Sequence, residues 1–149
     1  MFRRRKRGAR AQAIGISRGG RTTKIHALVD VLGRPLRLIL TPGNTSDIKG
    51  ADLLVGETGG MKRLIADRGY DANRLRATLR EQGTIPVIPG RRNRKRPIQY
   101  DVRRYKDRWR VEAMFCRLKD FRRVATRYDK LARNYQSAVA LTAAIAFWL

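Results

Sequence analysis

A chain of 149 residues with 42% hydrophobic content has the size and apolar fraction of one folded domain, which excludes wholesale disorder. Lys and Arg number 35 against 12 Asp and Glu, a formal charge of +23; this argues against an ordinary enzyme of small neutral metabolites and for a polyanionic partner, DNA, RNA or an anionic membrane. A single cysteine, Cys116, and a single histidine, His26, exclude an internal disulfide and any multi-cysteine or multi-histidine metal centre. Residues 1–13 read as a basic flexible tail, because Arg3-Arg4-Arg5-Lys6-Arg7 is too charged to bury and carries no apolar core of a secretory signal.

The pattern changes at Lys24. Ile25, Ala27 and Val29 alternate with His26, Leu28 and Asp30; Leu36, Leu38 and Leu40 alternate with Arg37, Ile39 and Thr41. With Gly33 in a short turn between them, these period-2 runs predict a hairpin over 24–41. Thr41-Pro42-Gly43-Asn44 ends it, and Ser46 or Asp47 is placed to cap a helix over 48–55. Arg63-Leu64-Ile65-Ala66 reads as a short strand ending at Asp67, followed by an Arg68-Gly69-Tyr70-Asp71 turn. Asp71 is a good N-cap for a helix over 72–82, with Leu75 and Leu79 on its buried side and Gly83 as its stop. A strand over 84–88, stopped by Pro89-Gly90, completes a parallel βαβ unit. A basic loop from Arg91 to Pro97 then leads to a helix over 101–121, and a last helix covers 134–149. The apolar run 137–149 is shorter than the roughly 20 residues of a membrane span, so it reads as a buried helix. The order ββ-αβαβ-αα is that of an α/β fold.

The helix over 101–121 carries the chemistry. At about 100° per residue, Val111, Met114, Phe115, Leu118 and Phe121 share a core-facing stripe. Tyr105, Arg108, Glu112 and Lys119 fall on an adjacent face within about 60° of one another. One carboxylate between an arginine and a lysine suits a metal ion and a phosphate backbone. The same residues would also serve as a solvated face laced by helical ion pairs, Arg108 and Glu112 being four apart.

The spacing Tyr105-x2-Arg108-x3-Glu112-x6-Lys119 reproduces the Tyr-Arg-Glu-Lys signature of DDE-type transposases of bacterial insertion sequences. Other segments agree in order: Ser17-Arg18-Gly19-Gly20 with Thr23-Lys24-Ile25-His26, Pro42-Gly43-Asn44-Thr45-Ser46-Asp47, Ala66-Asp67-Arg68-Gly69-Tyr70-Asp71, Ile88-Pro89 with Arg91-Arg92-Asn93, and Arg127-Tyr128-Asp129-Lys130. From about Ile14 to Leu149 the chain resembles the C-terminal part of that family's catalytic domain. The resemblance implies a ribonuclease H-like fold in which an Asp-Asp-Glu triad holds two Mg²⁺ (or Mn²⁺) ions for DNA strand cleavage and strand transfer. Asp67 matches the second aspartate and Glu112 the glutamate, both catalytic and metal-binding. Tyr105, Arg108, Lys119, Arg122, Arg123, Arg91 and Arg92 would contact DNA, and His26 and Cys116 would be structural.

One departure stands out. The family's first aspartate lies on its first strand, and residues 1–13 contain no carboxylate. Asp30 follows the strand that matches the family's second, so it does not take that role. The resemblance therefore implies a partial catalytic domain over 14–149 that lacks the central strand, marginally folded and inactive alone. A two-metal site is expected only when the missing aspartate is supplied. The implied partners are double-stranded DNA of the element's terminal repeats and either the upstream transposase half or further copies of the chain, in the cytoplasm with the nucleoid and not at a membrane. The chain would be a remnant or the second frame of a frameshifted fusion. The alternative is an inactive basic DNA-binding fragment or regulator of the full enzyme; a ribosomal or RNA-packaging protein would leave the Tyr-Arg-Glu-Lys spacing unexplained.

Overall fold

The computed structural model describes residues 12–56 and 58–149. The tail expected over 1–13 lies, up to residue 11, outside the described residues. Gln12 and Ala13 are held: the Gln12 side-chain oxygen accepts from the Ala132 N–H at 2.9 Å, and the Ala13 carbonyl accepts from the Thr23 hydroxyl at 2.6 Å.

Strands β1 (Gly15–Ser17), β2 (Gly20–Val29) and β3 (Pro35–Pro42) form an antiparallel sheet in that order. The expected hairpin is β2–β3, with Lys24 opposite Thr41 and Leu28 opposite Arg37. Asp30 fixes its turn: one carboxylate oxygen accepts from the backbone N–H groups of Leu32 and Arg34, both at 2.9 Å, while Gly33 takes φ +80°, a value open to glycine at no steric cost. β1 had no sequence signal, because three residues are too few to show alternation. The turn after β3 presses onto β2 so closely that a Cβ on Gly43 would lie 1.8 Å from the Thr22 hydroxyl oxygen; only glycine closes it.

Strands β4 (Arg63–Ile65) and β5 (Ile85–Val87) pair in parallel, joined by helix α2 (Asn73–Glu81) as the sequence predicts. Helix α1 (Asp47–Val55) packs with α2 through a core of Ala51, Val55, Leu75, Leu79 and Ile88. Burying a leucine contributes about 1.5–3 kcal/mol, and Leu75 and Leu79 are nearly inaccessible. The expected cap of α2 is corrected: its N-cap is Ala72. Asp71 sits one residue earlier, because two arginines and a backbone N–H compete for its carboxylate: Arg76 at 2.9 Å, Arg94 at 2.6 Å and the Arg91 N–H at 2.7 Å.

The long helix expected over 101–121 is α3 (Val102–Tyr105), a 3₁₀ turn (Lys106–Arg108) and α4 (Trp109–Lys119), with right-handed helical backbone at the junction residues. Asp101 caps it through the Arg104 N–H at 3.1 Å. Helices α5 (Arg122–Ala125) and α6 (Ala132–Phe147) follow. Met114, Leu118, Val124, Tyr135, Val139 and Ala143 form a second core, packed against Ile25, Ala27, Val29, Leu38 and Leu40 of the sheet. Phe121 is corrected from the core stripe to the surface: α4 stops at Lys119 and the backbone turns extended at Phe121. The C-terminal helix is likewise buried on one face only, Val139, Thr142 and Ala143 inward and Leu141 and Ile145 outward. Among the described residues no helix is long and apolar enough to cross a membrane. The architecture is mixed α/β: two small sheets flanked by helices, with no strand between β2 and β4 among the described residues.

Candidate active site

Asp67 lies two residues past the end of β4 and starts a tight turn. Its Oδ1 accepts the Gly69 N–H at 2.8 Å, a local bond of the kind that ends strands. Its Oδ2 lies 3.9 Å from the Arg108 guanidinium. Arg108 ends the 3₁₀ turn and donates from its other terminal nitrogen to Glu112 Oε1 at 2.5 Å. Two carboxylates 45 residues apart in sequence thus flank one guanidinium. All three side chains are partly exposed, so the pairings are solvent-screened and hold little stability.

A third carboxylate stands nearby. Asp47 opens α1 and pairs with Lys24 Nζ at 3.0 Å. A Cβ built on Gly69 would lie 2.9 Å from Asp67 Oδ1 and 3.0 Å from Asp47 Oδ2, so both carboxylates face the same glycine. Sequence reasoning treated Asp47 as a helix cap; the Asn44-to-Asp47 spacing after Gly43 was the available signal. Burial, then Asp47, then Asp67 push the Tyr70 phenol up to about 12, which keeps it a neutral donor. His26 is buried, with Nε2 2.7 Å from the Thr41 hydroxyl. Burial lowers its pKa, with Lys24 adding to the effect and Asp47 opposing it.

Tyr105 stacks edge-on against Tyr100, ring centroids 5.5 Å apart, and the Arg108 guanidinium lies 5.9 Å from its ring centre. Lys119 is exposed in the last turn of α4, about 10 Å of helix beyond Glu112 at 1.5 Å per residue. Arg122 donates to the Tyr128 hydroxyl at 3.2 Å and Arg123 approaches Asp129 at 3.5 Å, both exposed on α5. Arg91 donates to the Gly69 carbonyl at 3.2 Å, and Arg92 is exposed. The fold therefore gathers Asp67, Glu112, Arg108 and Tyr105. Lys119, Arg122, Arg123 and Arg92 belong to the surrounding basic surface. Cys116 is exposed on α4. Asp30 stays with its turn: burial opposes its charge, but the N–H groups of Arg34 and Leu32 and the Arg34 guanidinium outweigh it and lower the pKa.

Carboxylate oxygens are the donors a hard divalent cation prefers, so Asp67 and Glu112 fit Mg²⁺ or Mn²⁺ in kind. They fall short in number: among the described residues no group of three His, Cys, Asp or Glu side chains could hold a metal ion. Beside these carboxylates opens a groove of about 840 Å³, lined by β2, by β4 through Asp67, and by Arg104, Arg108 and Glu112.

Comparison with known proteins agrees with these motifs. A family profile described as Transposase DDE domain matches residues 2–147. A protein of Brucella ovis, named as a transposase for insertion sequence element IS6501, is 39% identical over 132 residues, covering 86% of this chain and 98% of its own length. A protein of Burkholderia cepacia, named as a transposase for insertion sequence element IS402, is 31% identical over 137 residues, covering 85% of this chain and 63% of its own length. No solved structure matches.

Proposed function

The chain belongs to the transposase DDE domain family of insertion sequences, and from that premise we propose that it is the C-terminal part of a DNA strand-cleaving and strand-transferring catalytic core with a ribonuclease H-like sheet. The observation that carries this is the convergence of Asp67 and Glu112 on one guanidinium. In this reading Asp67 and Glu112 are the metal ligands, with a third carboxylate supplied from outside the described chain. Bound divalent ions would activate a water or a 3′-hydroxyl and stabilise the leaving oxygen of a phosphodiester.

The chain's own residues do the rest. Arg108 carries the planar fork that matches a phosphate, and its bond to Glu112 aims the carboxylate into the groove. Tyr105 restricts Arg108 from behind. Gly69 leaves room for Asp67 to approach, since a Cβ there would press on both Asp67 and Asp47. Lys119, Arg122, Arg123, Arg91 and Arg92 hold the duplex of the terminal repeats by phosphate contacts that position and do not read sequence.

A second reading, a basic fragment that binds DNA or the full transposase without cleaving, is favoured by one observation: Arg108 already compensates both carboxylates. One experiment separates the two. Purified chain is incubated with labelled terminal-repeat duplex and Mg²⁺ or Mn²⁺, alone and with the upstream transposase segment that carries an aspartate strand. The active-site reading expects duplex binding in both cases and nicking only in the second, lost in Asp67→Asn and Glu112→Gln. Nicking that survives both substitutions would refute it.

A further inference from the structure

We propose that the turn between β2 and β3 is a DNA wedge: Val31 and Leu32 enter one base step of bound duplex from the minor groove and unstack it. The turn covers residues 30–34, between the two strands. Val31 is 82% exposed and Leu32 66%. The fold does not require them. Asp30 and Gly33 set the shape of the turn, and the two positions between them are open to the small polar residues that turns usually carry. Single exposed leucines are ordinary on any surface. Two adjacent large apolar side chains at the tip of a hairpin bury almost nothing there, so their use lies outside the fold.

The tip is rigid as well as exposed. The Arg34 guanidinium closes on the second Asp30 carboxylate oxygen through two contacts of 2.8 Å. The Asp30 N–H donates to the Arg34 carbonyl at 2.9 Å and the Gly33 N–H to the Asp30 carbonyl at 3.0 Å. Behind the turn, the Trp148 ring centre lies 4.3 Å from the Arg34 guanidinium, and Trp148 Nε1 donates to the Pro35 carbonyl at 3.1 Å. A prong held in this way loses little conformational freedom when it inserts.

Its surroundings select the partner. A Cβ on Gly33 would lie 3.6 Å from the Arg110 Cβ and carbonyl oxygen, so the tip rests on the first turn of α4, two residues past Arg108. Val31, Arg104 and Arg110 line the same groove as Asp67 and Glu112. Arg104 has no carboxylate partner among the described residues, and the side chains of Arg34 and Arg110 are 39% and 36% exposed. Cations therefore flank the apolar tip. Phosphates take the cations and the base stack takes the tip; minor-groove proteins insert leucine and similar side chains in this way and kink the step. Pyrimidine–purine steps deform most easily and are the substrate this wedge fits. The choice of DNA over an anionic lipid surface rests on the reading of the chain as a DNA strand-cleaving protein given above.

Fluorescence of 2-aminopurine tests this on the full chain. The probe is a duplex with a single central TA step between GC pairs, 2-aminopurine replacing the adenine of that step. A second duplex carries the fluorophore inside a stiff A-tract. The expected result is a rise of at least about threefold at the TA step on binding, a smaller rise in the A-tract, and none with the Val31→Ser/Leu32→Ser variant. Leu32→Phe, which keeps an apolar wedge, should retain the rise. The double serine variant should bind more weakly with an unchanged slope of log affinity against log salt, because that slope counts neutralised phosphates. Duplex binding with no rise, or a rise that survives the double serine variant, overturns the wedge. So does binding to phosphatidylserine vesicles that is lost in that variant in place of unstacking. Unstacking without nicking by the complemented protein supports the wedge and removes the catalytic reading; nicking without unstacking does the reverse.

Discussion

At the scale of single residues, the site and the core use carboxylates in opposite ways. Asp67 and Glu112 are partly exposed and share one guanidinium. Their replacement by Asn and Gln should shift unfolding by no more than about 0.5 kcal/mol, while abolishing any metal-dependent nicking of the complemented protein; urea melts and a nicking assay on the same samples check both halves. Asp71 is fully buried and bound by Arg76, Arg94 and the Arg91 N–H. Burial opposes its charge, yet the bonds from Arg94, Arg91 and Arg76 win and hold its carboxyl far below the ordinary carboxylate range. Because the folded state binds this proton less tightly, its stabilisation is complete above about pH 4 and is lost as pH falls further. Asp71→Ala leaves two arginines facing an empty buried site and should cost about 3–5 kcal/mol, read by urea unfolding, with the basic loop after β5 becoming open to trypsin. The sequence singled out Asp67 and Glu112 through their spacing and neighbours, and the fold brings both to one guanidinium. It could not show the competition for Asp71, because three donors from distant segments outbid a local capping role that short-range pattern favours.

Elements were legible where their periodicity was long. The β2–β3 hairpin, the βαβ unit and α6 follow from alternation, apolar spacing and turn residues. β1, the break at Phe121 and the outward face of α6 depend on what packs against them, which a one-dimensional pattern does not contain. The seat of α1 on the first sheet shows the same dependence. A Cβ on Gly50 of α1 would lie 2.3 Å from the His26 ring on β2, so helix and strand meet through a glycine and a buried imidazole. Gly50→Ala should destabilise by about 1–3 kcal/mol through overpacking, measured by thermal or urea unfolding, although alanine favours an isolated helix. The same contact makes the junction pH-sensitive. Burial lowers the His26 pKa below 6.5, so the unfolded chain takes up the proton first. Stability from this group is present above about pH 6.5 and falls as the pH is lowered below that. His26→Gln should flatten the unfolding midpoint over that window; an unchanged slope would show that other groups set it.

The whole molecule combines two cores, two small sheets and a charge of +23. Self-repulsion at that charge works against compactness, and among the described residues the two sheets share no strand, which leaves edges of β2 and β4 without a strand neighbour. Both effects predict a stability at the low end of the usual 5–15 kcal/mol of a domain, to be read by urea unfolding of the isolated chain. Anything that binds only the folded state then adds RT ln(1 + [L]/Kd) to it. Duplex DNA is such a ligand if the basic surface is organised by the fold, and heparin, equally charged but without a duplex, is the control. The unfolding midpoint should rise with duplex at about 50 mM salt and the rise should vanish toward about 0.5 M, because counterion release makes affinity fall steeply with salt. Heparin matching the duplex at every salt concentration would mean that charge alone is recognised. A larger and more salt-resistant rise with duplex would mean that the loop after β5, the 3₁₀ turn at Arg108 and the end of α4 form a surface shaped to a double helix. Asp71→Ala, which frees that loop, should then remove the difference between the two polyanions while leaving heparin binding intact.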